Sequence, residues 1–123
     1  MATPATDDWI TLGPLGGWPD GTSRGFDPMR QGRDAVFIVR SGQTLHAWHN
    51  ACPHVEGAPM AWRKDAYLSA DGQRIVCAAH GAQFDIASGV CSLGPCLGQA
   101  LRAATVRVNG AGNVQWLPDT AMV

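Results

Sequence analysis

Short apolar runs alternate with glycine-bearing breaks along the whole chain, and none of the runs is long enough for a helix of ordinary length. Asp8 to Leu12 reads as an opening strand, and Gly13 to Asp20 as a loop rich in Gly and Pro. Ala35 to Val39 is the longest uninterrupted aliphatic and aromatic run; with Arg40 it forms a β-rich segment that Ser41-Gly42 turns into Gln43–Trp48, a hairpin pattern. Tyr67-Leu68 and Arg74–Cys77 flank the turn dipeptide Asp71-Gly72, and Gln83–Ile86 runs into the turn Ala87-Ser88-Gly89. Near the end, Ala104–Val108 and Asn113–Leu117 alternate apolar and polar residues around Asn109-Gly110. Regularly spaced hairpins without a helical period or an internal repeat predict an all-β domain, a sandwich or a barrel.

Two segments between those hairpins do not read as strands: Cys52-Pro-His-Val-Glu-Gly-Ala-Pro59 and Cys77-Ala-Ala-His-Gly81. Each starts where a β-like run ends and carries a Cys, a His and a Gly, and loops on a rigid scaffold are where function concentrates. Two thiolates and two imidazoles suffice for a four-ligand metal site. A structural zinc finger normally takes Cys-Cys from its first pair and His-His from its second, whereas each loop here supplies one of each. Structural zinc is one reading of such a set. The other is a [2Fe–2S] cluster with two Cys on one iron and two His on the other.

Composition narrows the class. Of 123 residues 46% are hydrophobic and 15% charged, a globular profile with enough chain for one domain and a real core. Nine Lys and Arg against ten Asp and Glu give a net charge of -1, which argues against nucleic acid or an anionic membrane as main partner. No apolar run approaches the roughly 20 residues of a membrane span. The first residues carry Asp7 and Asp8 and no apolar segment, so no export signal is read there and a reducing cytoplasm is expected. Eight of the nine basic residues are Arg and nine of the ten acids Asp, a bias that fits a GC-rich bacterial genome.

Cys52-Pro53-His54 and Cys77-Ala78-Ala79-His80-Gly81 resemble the C-x-H and C-x-x-H signature of the Rieske [2Fe–2S] family. Ala82-Gln83-Phe84-Asp85 and Ser88-Gly89 are similar to that family's continuation, and Gly94-Pro95 to its proline-bearing third loop. The resemblance spans roughly residues 8 to 117, with 22 positions between the motifs, several more than is common. It implies stacked antiparallel sheets with a cluster-binding subdomain, one domain over 1–123, and cluster loops at about 50–60 and 77–96. It also implies Cys52 and Cys77 on the buried iron and His54 and His80 on the outer one. A neutral oxidised cluster accepts an electron more easily than a four-thiolate dianion, so such centres reach about -150 to +300 mV. Within that range, Gly57 and Ala79 stand where high-potential members carry bridging cysteines, and Ala82 and Phe84 where they carry hydroxyl residues. A low-potential, ferredoxin-like centre is expected.

The function implied is a soluble one-electron carrier rather than an enzyme: the ferredoxin component passing electrons from a flavin reductase to a terminal oxygenase. The chain is too short for an oxygenase's catalytic iron domain, and no spare two-His-plus-carboxylate set suggests one. The alternatives are a small Rieske subunit of a larger redox enzyme, such as a nitrite-reductase-like complex, and a zinc-stabilised interaction module. Partners are expected to dock near His54 and His80 on an apolar collar from Val55, Ala58, Pro59, Met60 and Pro95, with Trp62 nearby, and a monomer is expected. His46 and His49 read as surface or hydrogen-bonded strand histidines, and Cys91 and Cys96 as small buried thiols beside the third loop.

Overall fold

A computed structural model of the chain describes residues 9–30, 32–51, 65–77, 81–94 and 97–118. Within these, the strands are β1 (Ile10–Pro14), β2 (Ser23–Phe26), β3 (Val36–Ser41), β4 (Thr44–His49), β5 (Ile75–Val76), β6 (Gln83–Phe84), β7 (Cys91–Leu93), β8 (Thr105–Val108) and β9 (Asn113–Leu117). They pair antiparallel into three sheets, ordered β1-β9-β8, β2-β3-β4 and β5-β6-β7. No helix occurs among the described residues, so the expected all-β class holds.

The architecture follows from β3. Val36, Phe37, Ile38 and Val39 are each no more than 1% exposed, which identifies a strand covered on both faces rather than one with a wet side. Phe37 and Val39 join Trp48 in a core with Tyr67, Ile75, Cys77, Ala82, Phe84, Cys91 and Leu101. Ile38 points the other way and packs with Trp18, Ala47 and Val114. The β2-β3-β4 sheet is therefore a middle layer between β5-β6-β7 and β1-β9-β8.

The β3–β4 and β8–β9 hairpins lie where the pattern placed them, in register from Val36↔His49 to Ser41↔Thr44 and from Thr105↔Leu117 to Val108↔Val114. The third is shorter than read: its first arm is a single Leu68↔Ile75 bridge, and Gln83–Ile86 shrinks to Gln83–Phe84 beside an irregular register with β7. The opening strand runs from Ile10, Asp8 lying outside the described residues, and continues into the expected loop, because Gly13 pairs with Val114 and Pro14 with Asn113 after a register shift. Pro14 is tolerated because β1 is an edge strand.

Strand β2 was not legible. Ser-Arg-Gly-Phe has no apolar alternation, yet Ser23 and Gly25 are the buried positions. At Gly25 a Cβ would run into the Asp34 carboxylate and come within 2.6 Å of the Tyr67 hydroxyl oxygen. The inward face of β2 is reserved for small residues because polar side chains from elsewhere fill the space.

Candidate metal centre

Cys77 directly follows β5 and has no exposure, inside the core shared with the middle sheet. Its N–H donates to the Ala82 carbonyl at 2.8 Å and its carbonyl accepts from the Gly81 N–H at 2.8 Å. Gly81 takes φ +70°, a left-handed conformation that side-chain-bearing residues rarely adopt. The second motif is thus a loop with its neck closed by two backbone hydrogen bonds.

The third loop lies against this neck. Gly94 has φ +105°, and a Cβ there would sit 2.8 Å from the Ala82 Cα, so only glycine allows the approach. The Leu97 N–H donates to the Gly94 carbonyl at 3.2 Å. Leu93 and Leu97 stand out to solvent on either side, 55% and 68% exposed. Below them, the turn between β6 and β7 is capped by Asp85, whose carboxylate accepts from the Ser88 N–H at 2.8 Å. That bond, with a further one from the Ser88 side chain, holds the Asp85 carboxyl below the ordinary aspartate range. Gly89 lies flat on the Trp48 indole, with 2.7 Å between a would-be Cβ and the ring.

The first motif leaves β4 through Asn50 and Ala51 and returns at Asp65. Both ends are fastened to the start of β3 and to β2. The Asn50 N–H donates to the Ala35 carbonyl and its side-chain amide to the Asp34 carbonyl, both at 2.9 Å. On the returning side the Tyr67 hydroxyl donates to the Asp34 carboxylate at 2.8 Å, and its ring stacks on Phe37 with centroids 4.2 Å apart. Burial, then the hydrogen bond and charge of Asp34, push the Tyr67 hydroxyl pKa far up, so it acts as a neutral donor. Asp65, at φ +65°, accepts from the Gly25 N–H at 2.8 Å through its carboxylate and from the Ser23 hydroxyl at 2.7 Å through its carbonyl.

Of the four expected ligands, Cys77 is described and sits as a buried donor at a strand end; Cys52, His54 and His80 lie outside the described residues. Accordingly, no group of three metal-ligating side chains occurs among the described residues. Gly57, Ala79, Trp62, Cys96 and the expected collar of Val55, Ala58, Pro59, Met60 and Pro95 also lie outside them. Ala82 and Phe84 are fully buried, and Cys91 is a buried thiol donating to the Leu93 carbonyl at 3.3 Å. His46 and His49 are half-buried on β4, with the His49 N–H donating to the Arg102 carbonyl. Sequence reasoning passed over Asn50, Asp34, Asp65 and Tyr67. The usable signal was Tyr67, the one tyrosine of the chain, placed in an apolar arm where a buried hydroxyl needs a partner.

Residues 9–120 match a family model described as Rieske [2Fe-2S] domain. Among solved structures the chain is similar to the ferredoxin of carbazole 1,9a-dioxygenase from Nocardioides aromaticivorans IC177, at 27% identity over 90% of this chain and 98% of that one, with a TM-score of 0.67. It is similar to the ferredoxin in a complex of reduced oxygenase and oxidised ferredoxin in carbazole 1,9a-dioxygenase, at 25% identity over 89% and 92% of the two chains, with a TM-score of 0.66. Sphingomonas yanoikuyae B1 ferredoxin shares the fold at 22% identity over 89% and 97%, with a TM-score of 0.63. No curated protein matches the chain. The described part of the site fits such a cluster: a buried soft donor directly follows a strand, its loop is closed at the neck, and the third loop reaches it through a position only glycine can fill.

Proposed function

The chain belongs to the Rieske [2Fe–2S] family, and on that premise we propose that it is a one-electron carrier, the ferredoxin component of an oxygenase system. The observation that carries this reading is end-to-end similarity to a dioxygenase ferredoxin, combined with a C-x-H and C-x-x-H pair in the family's order. Cys52 and Cys77 are the proposed thiolate ligands of one iron, and His54 and His80 the imidazole ligands of the other. The cluster when bound supplies reversible one-electron chemistry near the protein surface.

The chain's own residues have separable tasks. Phe84, Ala82 and Leu101 surround Cys77 with apolar groups and keep water from the thiolate side. Neither residue 82 nor residue 84 brings a hydroxyl, which favours the low end of the family's potentials. The second ring nitrogens of His54 and His80 can hold or release a proton as the charge of the centre changes. Leu93 and Leu97 give the third loop an apolar, exposed flank suited to transient docking of an oxygenase-type acceptor, and a similar ferredoxin is known in complex with its oxygenase. A flavin reductase as donor, a cytoplasmic location, a monomeric state and the absence of catalysis by the chain itself complete the reading. No helix among the described residues is long and apolar enough to cross a membrane.

The test is an EPR spectrum of dithionite-reduced, anaerobically purified protein, with iron and zinc quantified in the same sample. A rhombic signal with an average g below that of all-thiolate clusters and two irons per chain is expected. A silent spectrum with one zinc per chain would replace the carrier with a structural metal module.

A further inference from the structure

The stem of the first motif is built unlike that of the second. Cys77–Ala82 closes on itself through backbone hydrogen bonds. The stem around 52–64 has its bounding residues tied instead to a third place, the Asp34–Ala35 step at the start of β3. Asp34 serves both sides at once: its carbonyl takes the Asn50 side-chain amide from the outgoing segment after β4, and its carboxylate takes the Tyr67 hydroxyl from the returning segment. Around this pair the packing is tight. Tyr67 is 2% exposed and stacked on Phe37, and position 25 has no room for a methyl group between Asp34 and Tyr67. Apolar burial of Tyr67 by itself would hold the ring; the polar end adds direction, since a hydrogen bond to a charged acceptor is both stronger and more geometrically demanding than ring packing.

We propose that Asp34, with Tyr67 and Asn50, forms a clamp that sets the separation of the two chain segments bounding residues 52–64, and so governs how tightly Cys52 and His54 hold the iron–sulfur cluster. Asp34 and Tyr67 are positioning residues: they act on the centre through the loop they anchor. The inference rests on the ligand assignment above. It predicts that the polar clamp can be cut with little loss of fold and a large loss of cluster retention.

The experiment uses the cluster-loaded protein. Tyr67→Phe, Asp34→Ala, Asp34→Asn and, as a core control remote from the clamp, Val114→Ala are compared with the parent chain. Three quantities are read: the rate at which an iron chelator bleaches the cluster well below the unfolding temperature, the g-values of the reduced centre, and the thermal midpoint. Tyr67→Phe removes one oxygen and keeps the stacked ring; it is expected to bleach about tenfold faster, equivalent to about 1.4 kcal/mol, with shifted g-values. Asp34→Ala should behave likewise, while Asp34→Asn, which keeps an oxygen acceptor for the hydroxyl, should recover most of the parent's rate and g-values. Val114→Ala should lower the midpoint and leave the bleaching rate unchanged. Parent-like rates and g-values in Tyr67→Phe, or bleaching that follows the thermal midpoint across all four variants, would overturn the clamp. Should Tyr67→Phe not accumulate as folded protein, the Asp34→Asn and Asp34→Ala pair decides by the presence or absence of rescue. A parent chain without two irons defeats the ligand assignment itself, an outcome visible before any variant is made.

Discussion

The two sheets that flank the middle layer are held together in different ways. On one side, β8 and β9 pair over four consecutive positions and β1 adds four more, so that sheet is maintained by its own ladder and by Val114 and Trp116 packing inward. On the other, β5 and β6 are two residues each and β7 is three. Ladders that short supply little by themselves. What orders this side is a set of turns capped by Asp71 and Asp85, glycines pressed against Ala82 and Trp48, and a core dominated by Phe37, Phe84 and Trp48. A regular sheet gives a robust support, whereas loops held point by point give a site whose backbone can be placed where ligands require it.

Substitutions on the two sides should therefore fail differently. The largest effect is expected for Cys77→Ala, which removes a proposed ligand from a fully buried position: iron content and visible colour should vanish while the chain still folds, as read by metal analysis and circular dichroism. Trp48→Ala comes next. It strips the ring that joins β4 to the β6–β7 turn, at a cost of about 3–5 kcal/mol, and both the thermal midpoint and cluster content should fall. Val114→Ala, in the opposite core, should cost about 2 kcal/mol in denaturant unfolding with full iron content retained. If it bled iron as readily as Trp48→Ala, the division of labour between the two sides would collapse.

The smallest effect sits in the Asp85 turn. Its carboxyl is held below the ordinary value of about 3.9, so its contribution is complete above that value and is lost as pH falls through the lower folded-state pKa. With the carboxyl close to solvent, the contribution should stay below about 1 kcal/mol. Acid unfolding should lose that increment as pH falls below about 4 in the parent and not in Asp85→Asn. Equal acid sensitivity in the two would remove Asp85 from the account of the turn.

Much of this contrast was readable from residue order alone. Hairpins β3–β4 and β8–β9 announced themselves because their turn residues and alternation agree with their ladders. The cofactor could be read because the C-x-H and C-x-x-H loops resemble the signature of the Rieske family, to which residues 9–120 match. Strand β2 was hidden because its buried face is Ser23 and Gly25, a pattern that makes sense only once Asp34 and Tyr67 are known to converge there. The short first arm of the β5 hairpin and the extension of β1 through Gly13 were set by tertiary pairing, which no local propensity encodes. The anchoring of the first loop was missed for the same reason: Asp34, Asn50, Asp65 and Tyr67 carry no motif, and their chemistry exists only in the folded arrangement.

The four covered residues of β3 also have a kinetic meaning. Their side chains belong alternately to two cores, so neither core can open without exposing part of the other, and the strand has no low-energy route to partial release. Amide protons of residues 37 and 38 should then exchange only when the entire molecule unfolds, whereas those in the turns around Asp71 and Asp85 exchange through local openings. A carrier arranged this way can open the turns around Asp71 and Asp85 locally while its central strand stays closed to proteases.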